Sequence, residues 1–322
     1  METARILDPS AALLKGRSPL RVAKRLFLAT RPRFFVASIL PVVLGSVWGY
    51  RVSDNFDLQA FALALAAILC IHAGANVIND VFDELSGSDR ANIGHIYPYT
   101  GGSRFIQNGI LSVSEMARWG VALLVAAGVC GVTLIAMKGP GVLWFGLVGI
   151  ALGTLYSIPP IQLSARGVGE ATVAVAFGVL PVAGAAWLQS GVVDGDVLVI
   201  SVPISLWVAA ILLINEVPDI QADAQAGKRT LPVRLGINGV RVLYLWIHVL
   251  ALVAIGLAIA MGILPVLSIT LPGLLLLVAV FAAINIKAAD SQCDALKRSI
   301  KLTLAIHGLG SLWLAGWVWY AA

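Results

Sequence analysis

The chain has 322 residues, 59% of them hydrophobic and only 12% charged, and its mean hydropathy is +0.91. Soluble globular domains carry about 25% charged residues, so this composition excludes a water-soluble fold and leaves the bilayer as the main solvent. The net charge of +5 and the isoelectric point near 9.3 come from Lys and Arg spread over short loops without a recognition motif, which fits membrane topology and not a nucleic-acid partner.

In lipid every backbone polar group must be satisfied internally, so only helices or a closed barrel remain. Long apolar runs such as 197–214 and 263–286 lack the alternation of barrel strands. The expected fold is therefore all-α: one polytopic bundle of nine transmembrane helices with a central cavity capped by cytoplasmic loops.

In chain order, residues 1–33 read as a basic N-terminal segment. It has no apolar stretch ending in a small-residue cleavage site, so it is expected to remain, with Leu20–Leu28 as a membrane-surface helix. Residues 34–322 form the transmembrane domain. Apolar stretches long enough to cross the hydrocarbon fall at 34–50, 58–79, 117–137, 140–157, 169–189, 197–215, 239–261, 263–285 and 302–320. Breakers at Lys138-Gly139-Pro140, Pro159-Pro160 and Ser190-Gly191 fit their boundaries. Cys70, Cys130 and Cys293 lie far apart in or beside apolar segments and read as small core residues.

With a cytoplasmic N-terminus, nine crossings put all of the 22 Lys and Arg except Arg51 and Lys138 on the cytoplasmic side. The long loops 80–116 and 216–238 then share that side. The expected location is a bacterial inner membrane with both loops and the N-terminus facing the cytoplasm. No feature calls for an obligate protein partner beyond membrane lipid.

Of 17 acidic residues, Asp80, Asp83, Glu84, Asp89, Glu115, Glu216, Asp219 and Asp223 gather in these loops or at the helix ends leading into them. Asn76, Asn79, Asp80 and Asp83 recur at i, i+3, i+4 and i+7, one stripe of a helix. Asn215, Asp219 and Asp223 repeat the arrangement at i, i+4, i+8. Carboxylates on one stripe repel unless a cation lies between them, and hard oxygen ligands select Mg²⁺ with phosphates completing its shell. Gly227-Lys228-Arg229-Thr230 and Gly101-Gly102-Ser103-Arg104 supply basic side chains and accessible backbone N–H groups for a diphosphate. The plain alternative is a pair of solvated loops whose acids cap helices.

From Arg31 to the last helix the sequence resembles the UbiA superfamily of intramembrane aromatic prenyltransferases. The resemblance rests on Asn79-Asp80-Val-Phe-Asp83 and on the Asp-x-x-x-Asp of Asp219 and Asp223. Gly87-Ser88-Asp89, Thr100-Gly-Gly-Ser103 and Ala226-Gly-Lys-Arg-Thr-Leu-Pro-Val-Arg-Leu-Gly236 are most similar to the 1,4-dihydroxy-2-naphthoate polyprenyltransferases of menaquinone synthesis. Tyr156-Ser157-Ile-Pro-Pro160 is similar to the family's loop after helix 4. The resemblance implies that Asn76, Asn79, Asp80 and Asp83 serve one metal and Asp219 and Asp223 a second, with Asp89 as a further carboxylate ligand. It implies Arg31, Arg104, Lys228 and Arg229 at the diphosphate, Ser157 and Asn215 at substrate, and Tyr156 in a catalytic role. Two departures stand out: Ala91–Tyr97 has no match in the pattern, and Pro218 interrupts the second motif.

The implied reaction is Mg²⁺-dependent transfer of a polyprenyl group from a prenyl diphosphate to an aromatic acceptor through an allylic cation. The acceptor is 1,4-dihydroxy-2-naphthoate or, alternatively, 4-hydroxybenzoate, homogentisate, a chlorophyllide or a glycerol phosphate lipid. Phe82, Tyr97, Tyr99 and Tyr156 lie near the motifs as candidate π faces, each worth up to about 2 kcal/mol to a desolvated cation. His72 and His95 are candidate acceptor contacts, although aromatics and lone histidines in such places are more often core, interface or structural residues. A transporter would need acids near the bilayer midplane, whereas these gather at one face.

Overall fold

A computed structural model describes residues 8–157, 160–287 and 293–320; Ile158 and Pro159 of the expected loop after Tyr156 lie outside them. Helix α1 (Pro19–Ala29) starts where Ser18 accepts the Arg21 N–H, and it covers the helix expected at Leu20–Leu28. Helix α2 (Val36–Ser53) follows a 3-10 turn at Pro32–Phe34. Helix α3 (Leu58–Ser86) is capped by Asp57, which accepts the Ala60 N–H at 2.9 Å, and it stops at Gly87, whose φ of 80° ends the helix in the left-handed region. Helix α4 (Val113–Lys138) opens with a reciprocal cap between Ser112 and Glu115.

Helix α5 (Val142–Ser157) and helix α6 (Gly169–Ser190, with a π turn at Val175–Val179) precede helix α7 (Gly195–Asn215) and the short helix α8 (Ile220–Gln225). Helices α9 (Leu231–Ala260), α10 (Thr270–Ile284) and α11 (Cys293–Tyr320) complete the chain.

Among the described residues, eight helices are long and apolar enough to cross a membrane, and α5, with 16 residues, falls short of that length. Its path is nevertheless fixed at both ends. Lys138, closing α4, pairs with Asp57 at the start of α3 at 2.8 Å. Beyond α5, the Ala165 carbonyl accepts the Arg229 N–H at 2.8 Å, beside Lys228, which pairs with Asp83 near the end of α3. Residues 139–157 thus start at one end of the bundle and 160–164 lie at the other, and α5 spans about 24 Å of the distance at 1.5 Å per residue.

Three boundaries depart from the sequence reading. Helix α3 continues to Ser86 instead of stopping at 79, so the first motif is wholly helical; loss of hydropathy marks where the apolar zone ends, not where the helix does. Helix α9 begins at Leu231 and not at 239, with its kink at Gly236, φ 63°. The second motif is not a continuous helical stripe: α7 ends at Asn215, a 3-10 turn spans Val217–Asp219, and α8 starts anew. Pro218 has no N–H to give and its ring crowds the preceding turn, so the helix breaks there.

Close helix contacts depend on small residues, as expected where lipid offers no hydrophobic drive between helices. A Cβ on Gly45 of α2 would lie 2.1 Å from the Val182 carbonyl oxygen of α6, and one on Gly49 2.5 Å from that of Ala186. Helix α7 forms the centre, with Ile200, Ile204, Leu213 and Ile214 fully buried. Replacing Gly45 with Leu is expected to push α2 off α6 and lower the unfolding midpoint in detergent, at an overpacking cost of about 1–3 kcal/mol. Gly128→Leu, where a Cβ meets open space, is the control, and equal midpoints for the two variants would contradict this packing.

Candidate functional site

The last turns of α3 meet the segment that follows α7 around one ammonium group. Lys228 Nζ lies 2.9 Å from Asp83 Oδ1, 3.3 Å from Asp223 Oδ1 and 3.1 Å from Ser88 Oγ. A cation thus joins the first motif to the second. Burial works against the Lys228 charge, but Asp83 and then Asp223 outweigh it and hold its pKa above the ordinary lysine value.

Asp80, 2% exposed, accepts the Ser103 N–H at 2.8 Å on Oδ2, while its buried Oδ1 has no partner. The Gly101-Gly102 turn, with φ of 70° and 72°, makes this approach possible. A Cβ on Gly102 would sit 2.7 Å from Asp89 Oδ2 and 3.0 Å from Asp80 Oδ1. The glycine-rich turn therefore gives its backbone N–H to a carboxylate of the first motif. Asp219 Oδ1 accepts from Asn92 Nδ2 at 2.6 Å. Asp89 accepts from Gln107 Nε2 at 3.2 Å, and the same amide donates to Glu84 at 3.0 Å. Burial first, then Asp80 and Asp83, push the Asp89 carboxyl up to about 8.

The other sequence candidates divide. Arg31 sits in the left-handed region at φ 58°, its Nη2 donating to the Tyr99 carbonyl at 3.2 Å, and its charge bears on both Asp80 and Asp219. Asn76, one turn before Asp80 on the same face of α3, donates its amide to the Thr30 carbonyl at 3.0 Å, next to Arg31. Arg104 turns its Nη1 to the Asp89 carbonyl at 2.6 Å. Asn79, Ser157 and Tyr156 are half-buried, and the Arg229 side chain is exposed. His72 bonds Ser38 at 2.6 Å between Phe35 and Phe177, and His95 reaches Asp8 at 3.0 Å, so both have structural partners.

Sequence reasoning missed Asn92, Gln107 and Glu170. Asn92 lies in the unmatched Ala91–Tyr97 stretch and ties it to the second motif. Glu170, at the start of α6, lies close to Glu216, just after α7, and Tyr156 lies near both. Glu170 Oε1, Glu216 Oε2 and Asn215 Oδ1 are buried without a donor.

Among the described residues no group of three or more His, Cys, Asp and Glu closes into a metal-holding cluster; Asp83 and Asp223 close on the Lys228 ammonium instead. The donor set still fits a hard cation. It is all oxygen, its carboxylates come from both motifs, and Asp80 Oδ1 is a buried acceptor left without a donor.

The sequence pattern of the UbiA prenyltransferase family matches residues 38–320. The 1,4-dihydroxy-2-naphthoate octaprenyltransferase of Haemophilus influenzae is 30% identical over 242 residues, 72% of this chain and 76% of that protein. UbiA prenyltransferase domain-containing protein 1 of Xenopus tropicalis is 29% identical over 214 residues, which span 65% of this chain and 59% of the frog protein. A solved structure of a UbiA homolog from Archaeoglobus fulgidus bound to GPP and Mg²⁺ superposes with a TM-score of 0.63 at 17% identity, covering 92% of this chain and 99% of that one.

Lys228→Met leaves Asp83 and Asp223 facing each other uncompensated and is expected to destabilise the protein by about 3 kcal/mol. Adding Asp83→Asn should recover part of that loss, and additive effects in this double-mutant cycle would refute the bridge. Asp89 titrates higher folded than unfolded, so the metal-free fold binds the extra proton between about pH 4 and 8. Stability is expected to fall as pH rises through that window, and Asp89→Asn should flatten the dependence of the unfolding midpoint.

Proposed function

The chain belongs to the UbiA prenyltransferase family, and on that footing we propose that it transfers a polyprenyl group from a prenyl diphosphate to 1,4-dihydroxy-2-naphthoate. The observation that carries this reading is the joining of two acidic motifs through Lys228. One end of the bundle thereby holds five aspartates, an ammonium and Arg31, the charges that a metal–diphosphate complex needs.

Asp80, Asp83 and Asp89 from the first motif and Asp219 and Asp223 from the second would hold Mg²⁺, which when bound neutralises diphosphate oxygens and eases departure of the leaving group. Lys228 and Arg31 would receive the negative charge that develops as the allylic C–O bond breaks. The carboxyl-bearing carbon of the acceptor ring then bonds to the allylic carbon. The carboxylate leaves as CO₂ and returns its bonding pair to the ring, and diphosphate, already parted from the allylic carbon, leaves the site. Asn215, Glu170 and Glu216 offer buried acceptor atoms without donors beside Tyr156, a setting that suits the hydroxyl groups of a dihydroxyarene. The Haemophilus relative, whose name specifies this acceptor, supports the choice over 4-hydroxybenzoate and the others.

We further propose that α5 is a ninth crossing, that 34–322 is one domain around a central cavity, and that the motif end faces the cytoplasm of a bacterial cell. The placement of 139–157 and 160–164 supports this parity. A cysteine placed at Gly139 should then react with an impermeant thiol reagent only from outside, and one at Ala226 only from inside. Labelling of both from one side would overturn the count.

Purified protein with Mg²⁺, prenyl diphosphates of several lengths and a panel of acceptors should yield a prenylated, decarboxylated naphthoate product by mass spectrometry. Chelation should abolish it. Asp80→Ala and Asp219→Ala should each lower the rate by at least about 100-fold, the scale of losing an electrostatic stabiliser of the transition state. Full activity in either variant, or transfer to no acceptor, refutes the assignment.

A further inference from the structure

Beside the acidic cluster, and outside it, a cavity of about 770 Å³ opens between the N-terminal segment, the loop after α3 and the first turn of α4. That volume is in the range of small-molecule sites. Its walls carry four cations, Lys15, Arg25, Arg90 and Arg104, against two acids, Glu84 and Glu115. Both acids are already engaged. Glu84 is gripped by Arg90 and accepts from Gln107, while Glu115 accepts from the Ser112 N–H at 2.7 Å and its hydroxyl at 2.8 Å.

The cations are less fully used. Among the described residues Arg25 makes two hydrogen bonds, both long at 3.5 Å, to the Leu14 and Gly16 carbonyls, with Glu115 near its charge, and the Nε atoms of both Arg25 and Arg104 are buried without partners. Lys15 is exposed and forms no ion pair among the described residues. Charge is therefore left over on the cavity wall. Two forked guanidinium groups and an ammonium are the donor set that recognises phosphate. We propose that this cavity binds a phosphate-bearing anion, either free diphosphate or the headgroup of an anionic lipid.

The place in the fold suits both sources. Helix α1, with Arg21, Lys24 and Arg25, is pinned to α4 by the Trp119 indole N–H on the Leu26 carbonyl at 3.1 Å. The rear wall is shared with the acidic cluster: Gln107 joins Glu84 to Asp89, and Arg104 holds the Asp89 carbonyl. An anion drawing on Arg104 therefore acts on the residue that positions Asp89.

Lys15 reports occupancy directly. In metal-free phosphatidylcholine nanodiscs, the full-length protein is acylated with an amine-reactive reagent with and without inorganic diphosphate, and modification of Lys15 is read by mass spectrometry. Lys24, exposed on the same segment but off the cavity wall, is the internal reference. Diphosphate is expected to slow Lys15 acylation about tenfold relative to Lys24, and Arg25→Gln to remove the protection, as loss of one charge-assisted fork would. Protection in phosphatidylglycerol nanodiscs without diphosphate identifies a lipid headgroup as the source; protection only with diphosphate identifies the free anion. Unchanged Lys15 reactivity under every condition, equal protection of Lys24, or full protection in Arg25→Gln overturns the site.

Discussion

Carboxylates crowded at the edge of a low-dielectric bundle repel one another, at about 4 kcal/mol per pair at 4 Å for an effective dielectric near 20. The Lys228 ammonium answers that repulsion by standing between Asp83 and Asp223. Much of the surrounding structure serves to bring it there. Asp83 rides on the last turns of a helix that outlasts its apolar stretch, Asp223 on a short helix begun afresh after a proline, and Lys228 on the turn between α8 and α9. Ser88 adds a neutral donor to Asp223, while Ser103, Asn92 and Gln107 donate to Asp80, Asp219 and Asp89. Neutral donors hold a carboxyl group in place without supplying a counter-charge, and burial among like charges leaves Asp89 holding a proton that a divalent cation would replace.

Such a cluster demands a rigid support, and in lipid rigidity must come from close packing. The glycines at 45, 49 and 178 let backbones touch where a methyl group would collide. They cluster where α2, α6 and α7 meet, the same helices that lead to Arg31 and to the second motif. Stability and site geometry therefore share one set of small residues.

Much of this was legible in the sequence because it obeys simple periodicities. The stripe from Asn76 to Asp83, the helix near Leu20–Leu28 and the outlying Arg51 and Lys138 all followed from spacing or charge. Lys138 indeed pairs with Asp57 at the end of α3 far from the motifs. What escaped was decided by tertiary context. The Gly101-Gly102-Ser103 turn looks like a phosphate cradle, yet its N–H goes to Asp80. Asn92 is one polar residue in an unmatched stretch, and only folding reveals that it grips Asp219. Asn76 belongs to the acidic stripe but spends its amide on the Thr30 carbonyl at the end of α1, a partner that spacing alone does not show.

Pro218 illustrates how a local conflict serves the site. A continuous helix from α7 through Asp223 would align Asn215, Asp219 and Asp223 on one face and direct all three the same way. Breaking the helix at Val217–Asp219 instead places Asp219 at the start of α8, where it meets the loop after α3 through Asn92, and leaves Asp223 within α8 to face Lys228 and Ser88. The two acids of one motif are thereby shared between two partners. The proline that weakens the helical pattern is what allows the second motif to close on the first from two directions.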